Sequence, residues 1–127
     1  MTKHILIVDD FKSFTKLVDS VLTHAGFKIS IAHNGKEALA QLATKDVDMI
    51  ISDVNMPEMD GVSLLESVRT TYKNQDVPFM LLTTERDEAL IQRANASKLT
   101  AWINKPFKVE DFVSTVKSTL YTGGVAA

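Results

Sequence analysis

Cysteine is absent from the chain, which excludes disulfides, thiolate metal sites and cysteine nucleophiles. Also missing is any apolar run near the ~20 residues that a helix needs to cross a bilayer. The amino terminus, Met1-Thr2-Lys3-His4-Ile5, starts basic but reaches Asp9-Asp10 too soon for a secretory signal. No basic stripe is present: the net charge is −2 with both signs interspersed, so binding through nucleic-acid phosphates is not expected. Neither an internal repeat nor a linker divides the chain. These absences imply a cytoplasmic protein that engages neither nucleic acid nor membrane.

What is present suits one domain. A chain of 127 residues buries roughly two thirds of the surface its unfolded form exposes, enough for a core without covalent staples. The 45% hydrophobic and 24% charged fractions are ordinary for a soluble globular protein.

The apolar pattern changes period along the chain. Ile5-Leu6-Ile7-Val8 is a short continuous run, as expected of a strand buried on both faces. Phe14, Leu17, Val18, Val21 and Leu22 then recur at helical spacing up to Gly26. Phe27 to Ile31 reads as a second strand, closed by His33-Asn34-Gly35, and Ala38, Leu39 and Leu42 mark a second helix. Met49-Ile50-Ile51 and Phe79 to Leu82 are two more buried runs, separated by a loop with Pro57 and Gly61 and a helix through Val62, Leu65 and Val68. A more polar helix carries Leu90, Ile91 and Ala94, Ala101-Trp102-Ile103 make a fifth strand, and Val109, Phe112, Val113, Val116 and Leu120 form the last helical stripe. Five alternating βα units predict an α/β fold: a doubly wound, flavodoxin-like five-stranded parallel sheet in the order 2-1-3-4-5 with helices on both faces. The domain is expected to occupy residues 1–120, with 121–127 as a flexible tail.

In such a sheet the chemistry sits outside the carboxyl ends of the strands. The first strand ends at Asp9 and Asp10, the third at Asp53, the fourth at Thr83, and the fifth leads to Lys105. Three crowded carboxylates suit a hard cation such as Mg²⁺, which takes one or two carboxylates and keeps waters. An aspartate beside that ion can act as a nucleophile toward phosphorus, while Lys105 and Thr83 offer a cation and a hydroxyl to phosphoryl oxygens.

Asp9-Asp10, the run Asp53-Val54-Asn55-Met56-Pro57-Glu58-Met59-Asp60-Gly61, Thr83 and Lys105-Pro106-Phe107 resemble bacterial response-regulator receiver domains. The resemblance spans about Ile5 to Leu120 and is strongest to the single-domain, chemotaxis-type (CheY-like) members. It implies that Asp53 accepts a phosphoryl group from a histidine kinase and that Asp9, Asp10, Asp53 and the Asn55 main-chain carbonyl hold Mg²⁺. It further implies that Thr83 and Lys105 bind the phosphoryl oxygens, that Lys105-Pro106 is cis, and that Asn55, Thr84 and Glu85 tune phosphate hydrolysis. Thr83 and Trp102 would form the switch, and the fourth helix, fifth strand and fifth helix the output face. A protein of this kind catalyses only its own phosphorylation and dephosphorylation and is expected to be a monomer. Its partner would be a protein such as a flagellar motor switch component; a phosphate sink, a phosphorelay intermediate and a phosphorylation-independent binding module are the alternatives.

Taken singly, each residue has an ordinary reading. Asp9-Asp10 could form a strand-end turn and helix cap, Asp53 precede a turn, Thr83 cap the next helix, Lys105 sit on the surface, and Trp102 fill the core. His4, His24 and His33 show no metal-ligand spacing. The chain also departs from the family pattern: Lys98-Leu99 stands where Gly-Ala is frequent, and Thr84 is bulkier than the usual small residue. A phosphatase of the haloacid-dehalogenase type would need a second aspartate two residues after its nucleophile, and that position is Asn55. A flavin-binding protein would need a hydroxyl- or glycine-rich phosphate loop after the first strand.

Overall fold

The computed structural model describes residues 2–84 and 87–122. Ten elements alternate: β1 (His4–Val8), α1 (Lys12–His24), β2 (Lys28–Ala32), α2 (Gly35–Leu42), β3 (Met49–Asp53), α3 (Gly61–Thr71), β4 (Phe79–Thr83), α4 (Glu88–Ala96), β5 (Ala101–Asn104) and α5 (Val109–Thr122). The strands are all parallel, in the expected order β2-β1-β3-β4-β5. Two boundaries differ from expectation. Phe27 is buried but precedes β2, whose first residue Lys28 pairs with His4. Tyr121 and Thr122 belong to α5 and not to a tail; residues 123–127 lie outside the described residues.

Alternate residues of the central strands feed two separate cores, as a two-period pleat requires. Leu6, Val8, Ile50, Phe79 and Leu81 pack under α2, α3 and α4 with Ala38, Leu42, Leu65, Val68 and Ala94. Ile5, Ile7, Met49, Ile51, Met80 and Leu82 pack under α1 and α5 with Val18, Leu22, Phe112 and Val116. Burial on both faces explains why these strands read as unbroken apolar runs.

Helix ends follow local chemistry. The Asn34 side chain accepts from Glu37 N and caps α2; Asp60 accepts from Ser63 N and caps α3; Asp87 accepts from Ala89 N and caps α4. Only Ala94 of α4 is fully buried, so this helix is held mainly from its neighbours. Arg93 pairs with Glu66 of α3 at 2.7 Å. The Arg69 guanidinium donates to the carbonyls of Ser97, Lys98, Gln75 and Val77 at 2.7–3.0 Å. It thereby satisfies carbonyls at the end of α4 that the helix itself cannot, and burial lowers its pKa. Lys98 adopts the left-handed conformation with φ +59°, the position where glycine is frequent in the family.

The amino ends of the strands carry a second polar network. The His4 ring lies 2.7 Å from Ser30 Oγ and 3.0 Å from the Asp46 carbonyl, and burial lowers its pKa. The Tyr72 hydroxyl accepts from Val47 N at 3.1 Å and donates to the Lys45 carbonyl at 3.3 Å.

Candidate phosphoacceptor site

The sheet brings Asp9, Asp10, Asp53, Thr83 and Lys105 to one end. Val8 pairs with Ser52, Asp53 with Leu82, and Thr83 with Asn104, so the residues that follow β1 and β5 meet the last residues of β3 and β4. The Lys105 amide donates to the Thr83 carbonyl at 2.9 Å, extending the β4–β5 pairing by one residue. Lys105-Pro106 is cis, as the resemblance implied.

Carboxylate oxygens of Asp9, Asp10 and Asp53 lie within 4.8 Å of one another. Asp9 is 1% exposed, Asp53 half-buried and Asp10 exposed. Lys105 Nζ sits between the two inner acids, 3.6 Å from Asp9 Oδ2 and 3.5 Å from Asp53 Oδ1. One ammonium does not satisfy this cluster. Asp9 Oδ2 is buried without a hydrogen-bond partner among the described residues, and burial raises the pKa of both Asp9 and Asp53. Such an orphaned anionic oxygen among three carboxylates fits a small divalent cation with hard oxygen ligands.

The loop after β3 sets the direction of Asp53. Val54 N donates to Asp53 Oδ1 at 2.9 Å, and Gly61 N donates to the Val54 carbonyl at 2.8 Å. A Cβ at Gly61 would stand 2.2 Å from the Asp53 carbonyl oxygen, so only glycine lets the start of α3 close against the strand end. Asn55 is exposed in this loop.

The helix-cap readings of Asp9-Asp10 and of Thr83 fail on geometry. Helix α1 has Phe11 at its N-cap with no side-chain cap bond, and Asp9 Oδ1 instead accepts from Phe11 N at 2.9 Å. Helix α4 is capped by Asp87, not by Thr83, which is 1% exposed at the end of β4. Thr84 is exposed beside it; Glu85 lies outside the described residues. Trp102 is half-buried in register with Leu81, packed against the core beneath α3 and α4. Sequence reading missed one neighbour of the site: Lys105 Nζ lies over the Phe14 ring, 4.6 Å from its centroid, a residue whose spacing marked it only as core. A groove of about 890 Å³ between α1 and α5, lined by Val21, His24, Val109, Glu110, Val113 and Lys117, contains none of Asp9, Asp10 and Asp53.

No helix among the described residues is long and apolar enough to cross a membrane. The response regulator receiver domain family matches residues 5–117. A probable chemotaxis protein CheY of Rhizobium etli is 35% identical over 115 residues, covering 90% of this chain and 89% of its own length. A chemotaxis protein CheY homolog of Campylobacter jejuni is 33% identical over 121 residues, covering 94% and 93%. The solved structure of Vibrio cholerae chemotaxis protein CheY4 aligns with a TM-score of 0.88 at 36% identity, covering 94% of this chain and 100% of that one. Strand order, site residues and relatives agree: the chain belongs to the response regulator receiver domain family of two-component signalling, among its CheY-like members.

Proposed function

We propose that this receiver takes a phosphoryl group from a histidine kinase onto Asp53 and uses it to switch the surface formed by α4, β5 and α5. The observation that carries this reading is the Lys105 ammonium held 3.5 Å from Asp53 and 3.6 Å from Asp9, beside a buried carboxylate oxygen without a hydrogen-bond partner among the described residues. Asp9, Asp10, Asp53 and the Asn55 main-chain carbonyl would hold Mg²⁺. When bound, that ion supplies charge neutralisation for the acids and for the phosphoryl oxygens.

An Asp53 carboxylate oxygen attacks phosphorus, and the P–N bond of the kinase phosphohistidine breaks with its electron pair leaving on the imidazole nitrogen. Lys105 attracts the equatorial oxygens as charge spreads over them, and the Thr83 hydroxyl donates to one of them. The product carries about −1.5 to −2 charge on the phosphoryl group in place of the −1 of the Asp53 carboxylate, a net gain of roughly −0.5 to −1 at the strand ends. Thr83 moving toward that charge leaves space beside Trp102, and only such a differential contact can shift the equilibrium between two surfaces. Because α4 buries one residue fully, it is the helix whose packing costs least to rearrange.

The chain turns over no separate substrate; it catalyses its own phosphorylation and dephosphorylation. Relatives named as chemotaxis proteins support a chemotaxis role; a flagellar motor switch protein as the partner and a monomer as the working form are proposed with it. Intact mass after incubation with Mg²⁺ and a small-molecule phosphodonor tests the core of this reading. One labile phosphoryl group is expected, absent without Mg²⁺ and absent in Asp53→Ala. An unlabelled protein, under conditions that label a control receiver, would refute the phosphoacceptor role.

A further inference from the structure

We propose that Phe14 is a positioning residue for this pocket, its ring face holding the Lys105 ammonium at the mouth between Asp9 and Asp53. The inference rests on the phosphoacceptor reading above, because it concerns the group that would receive the phosphoryl oxygens.

Lysine is a flexible point charge on a four-carbon stem, so it is placed only as well as its contacts place it. Here the two carboxylate contacts are 3.5 and 3.6 Å, longer than the roughly 2.7–3.2 Å of a directed N–H···O bond. They attract the ammonium without locking it. The side chain is also 25% exposed, which leaves it a route into solvent. The Phe14 ring supplies the third contact, with Nζ 4.6 Å from the centroid, inside the roughly 6 Å range in which a ring quadrupole attracts a cation.

That ring is itself held. Phe107 meets it edge-on with centroids 6.1 Å apart and planes at 75°, and Phe107 stacks on Phe112 at 4.9 Å and 20°. Phe112 is 2% exposed in the core beneath α5. The ammonium is therefore placed by a stack of three rings that ends in the rigid interior, and α1 and α5 are both needed to build it. Simple packing would account for an apolar side chain at residue 14, but not for a charge resting over its ring.

Two measurements test this. In the unmodified protein, the ring current of Phe14 is expected to move the Lys105 ε-methylene protons upfield in the NMR spectrum, and Phe14→Leu should return them to ordinary values. Unshifted protons would overturn the placement whether or not Asp53 is labelled. The second measurement is the rate of Asp53 phosphorylation by acetyl phosphate with mono-, di- and trifluorinated phenylalanine installed at position 14. Fluorine withdraws density from the ring face with little change of shape, so a stepwise fall, about 3- to 10-fold in total, is expected. Phe14→Tyr should recover the rate that Phe14→Leu loses, and the fluorinated series should be flat in a Lys105→Gln background. A flat series in a protein that does label would overturn the positioning role while leaving the phosphoacceptor reading intact.

Discussion

Replacing Asp9 by asparagine should make the metal-free protein more stable at neutral pH. Asp9 is 1% exposed, and its Oδ2 has no hydrogen-bond partner among the described residues. With an effective dielectric of ~20, Lys105 at 3.6 Å contributes ~4.6 kcal/mol of attraction. Asp53, within 4.8 Å, returns at least ~3.5 kcal/mol of repulsion. The two nearly cancel, Asp10 adds a further screened repulsion, and the desolvation of a buried carboxylate stands largely unopposed. Asparagine keeps an Oδ1 to accept from Phe11 N while removing the charge.

A gain of about 1–2 kcal/mol is expected, read as a rise in Tm of roughly 3–8 °C for a domain of this size. The pH dependence has a definite sign. Burial raises the Asp9 pKa, so the folded state holds the proton more tightly than the unfolded chain. The destabilisation is absent below the ordinary carboxylate range and grows as pH rises from there through the raised value. Thermal melts of wild type and Asp9→Asn in EDTA should therefore converge near pH 4 and separate toward pH 7. In the wild type, Mg²⁺ at 100 times its Kd should add about 2.7 kcal/mol, and the variant should gain less. A lower Tm for Asp9→Asn in EDTA at pH 7 would refute the reasoning, because the carboxylate would then be a net structural asset.

Three further outcomes are expected. Thr84→Ala should release the Asp53 phosphoryl group about 3-fold faster, since a bulky side chain no longer stands beside the strand end; a time course of intact mass reads this, and an equal or slower rate removes the idea. Trp102 is the sole tryptophan and is half-buried, so its fluorescence should change on phosphorylation, and an unchanged spectrum in labelled protein would count against its coupling to Thr83. Lys98→Gly should stabilise the protein by about 1 kcal/mol, because a left-handed residue with a Cβ costs roughly 1–2 kcal/mol; a Tm that falls would show that the Lys98 side chain contributes more than its backbone costs.

The architecture was readable because its signals are local and repeated. Ile50 and Ile51, like Ile5 to Val8, are apolar without a break because each residue faces one core or the other. The site was readable because its members end those same runs, and the order of the strands then decides what meets. Other features carry no such signature. Phe27 is as buried as a strand residue but pairs with nothing in β1, so the apolar pattern begins one residue before β2 does. Tyr121 is 62% exposed, so the apolar stripe ends before α5 does. Arg69, His4 and Tyr72 act on backbone carbonyls and amides distant in sequence, and no residue spacing encodes such partners. The contact between Phe14 and Lys105 depends on how α1 and α5 pack, which periodicity leaves undetermined.

The polar fasteners around His4, Asp46 and Tyr72 sit where the strands begin, while the acids, Thr83 and Lys105 sit where the strands finish. Durability can thus be altered at the end where the strands begin without touching the residues that set signal lifetime at the other. Substitutions in well-separated, unconnected groups act nearly additively, so a lineage selected for heat tolerance can alter one end without retiming the message written at the other. The same separation lets two regulators share one clock while differing widely in how long the folded chain survives.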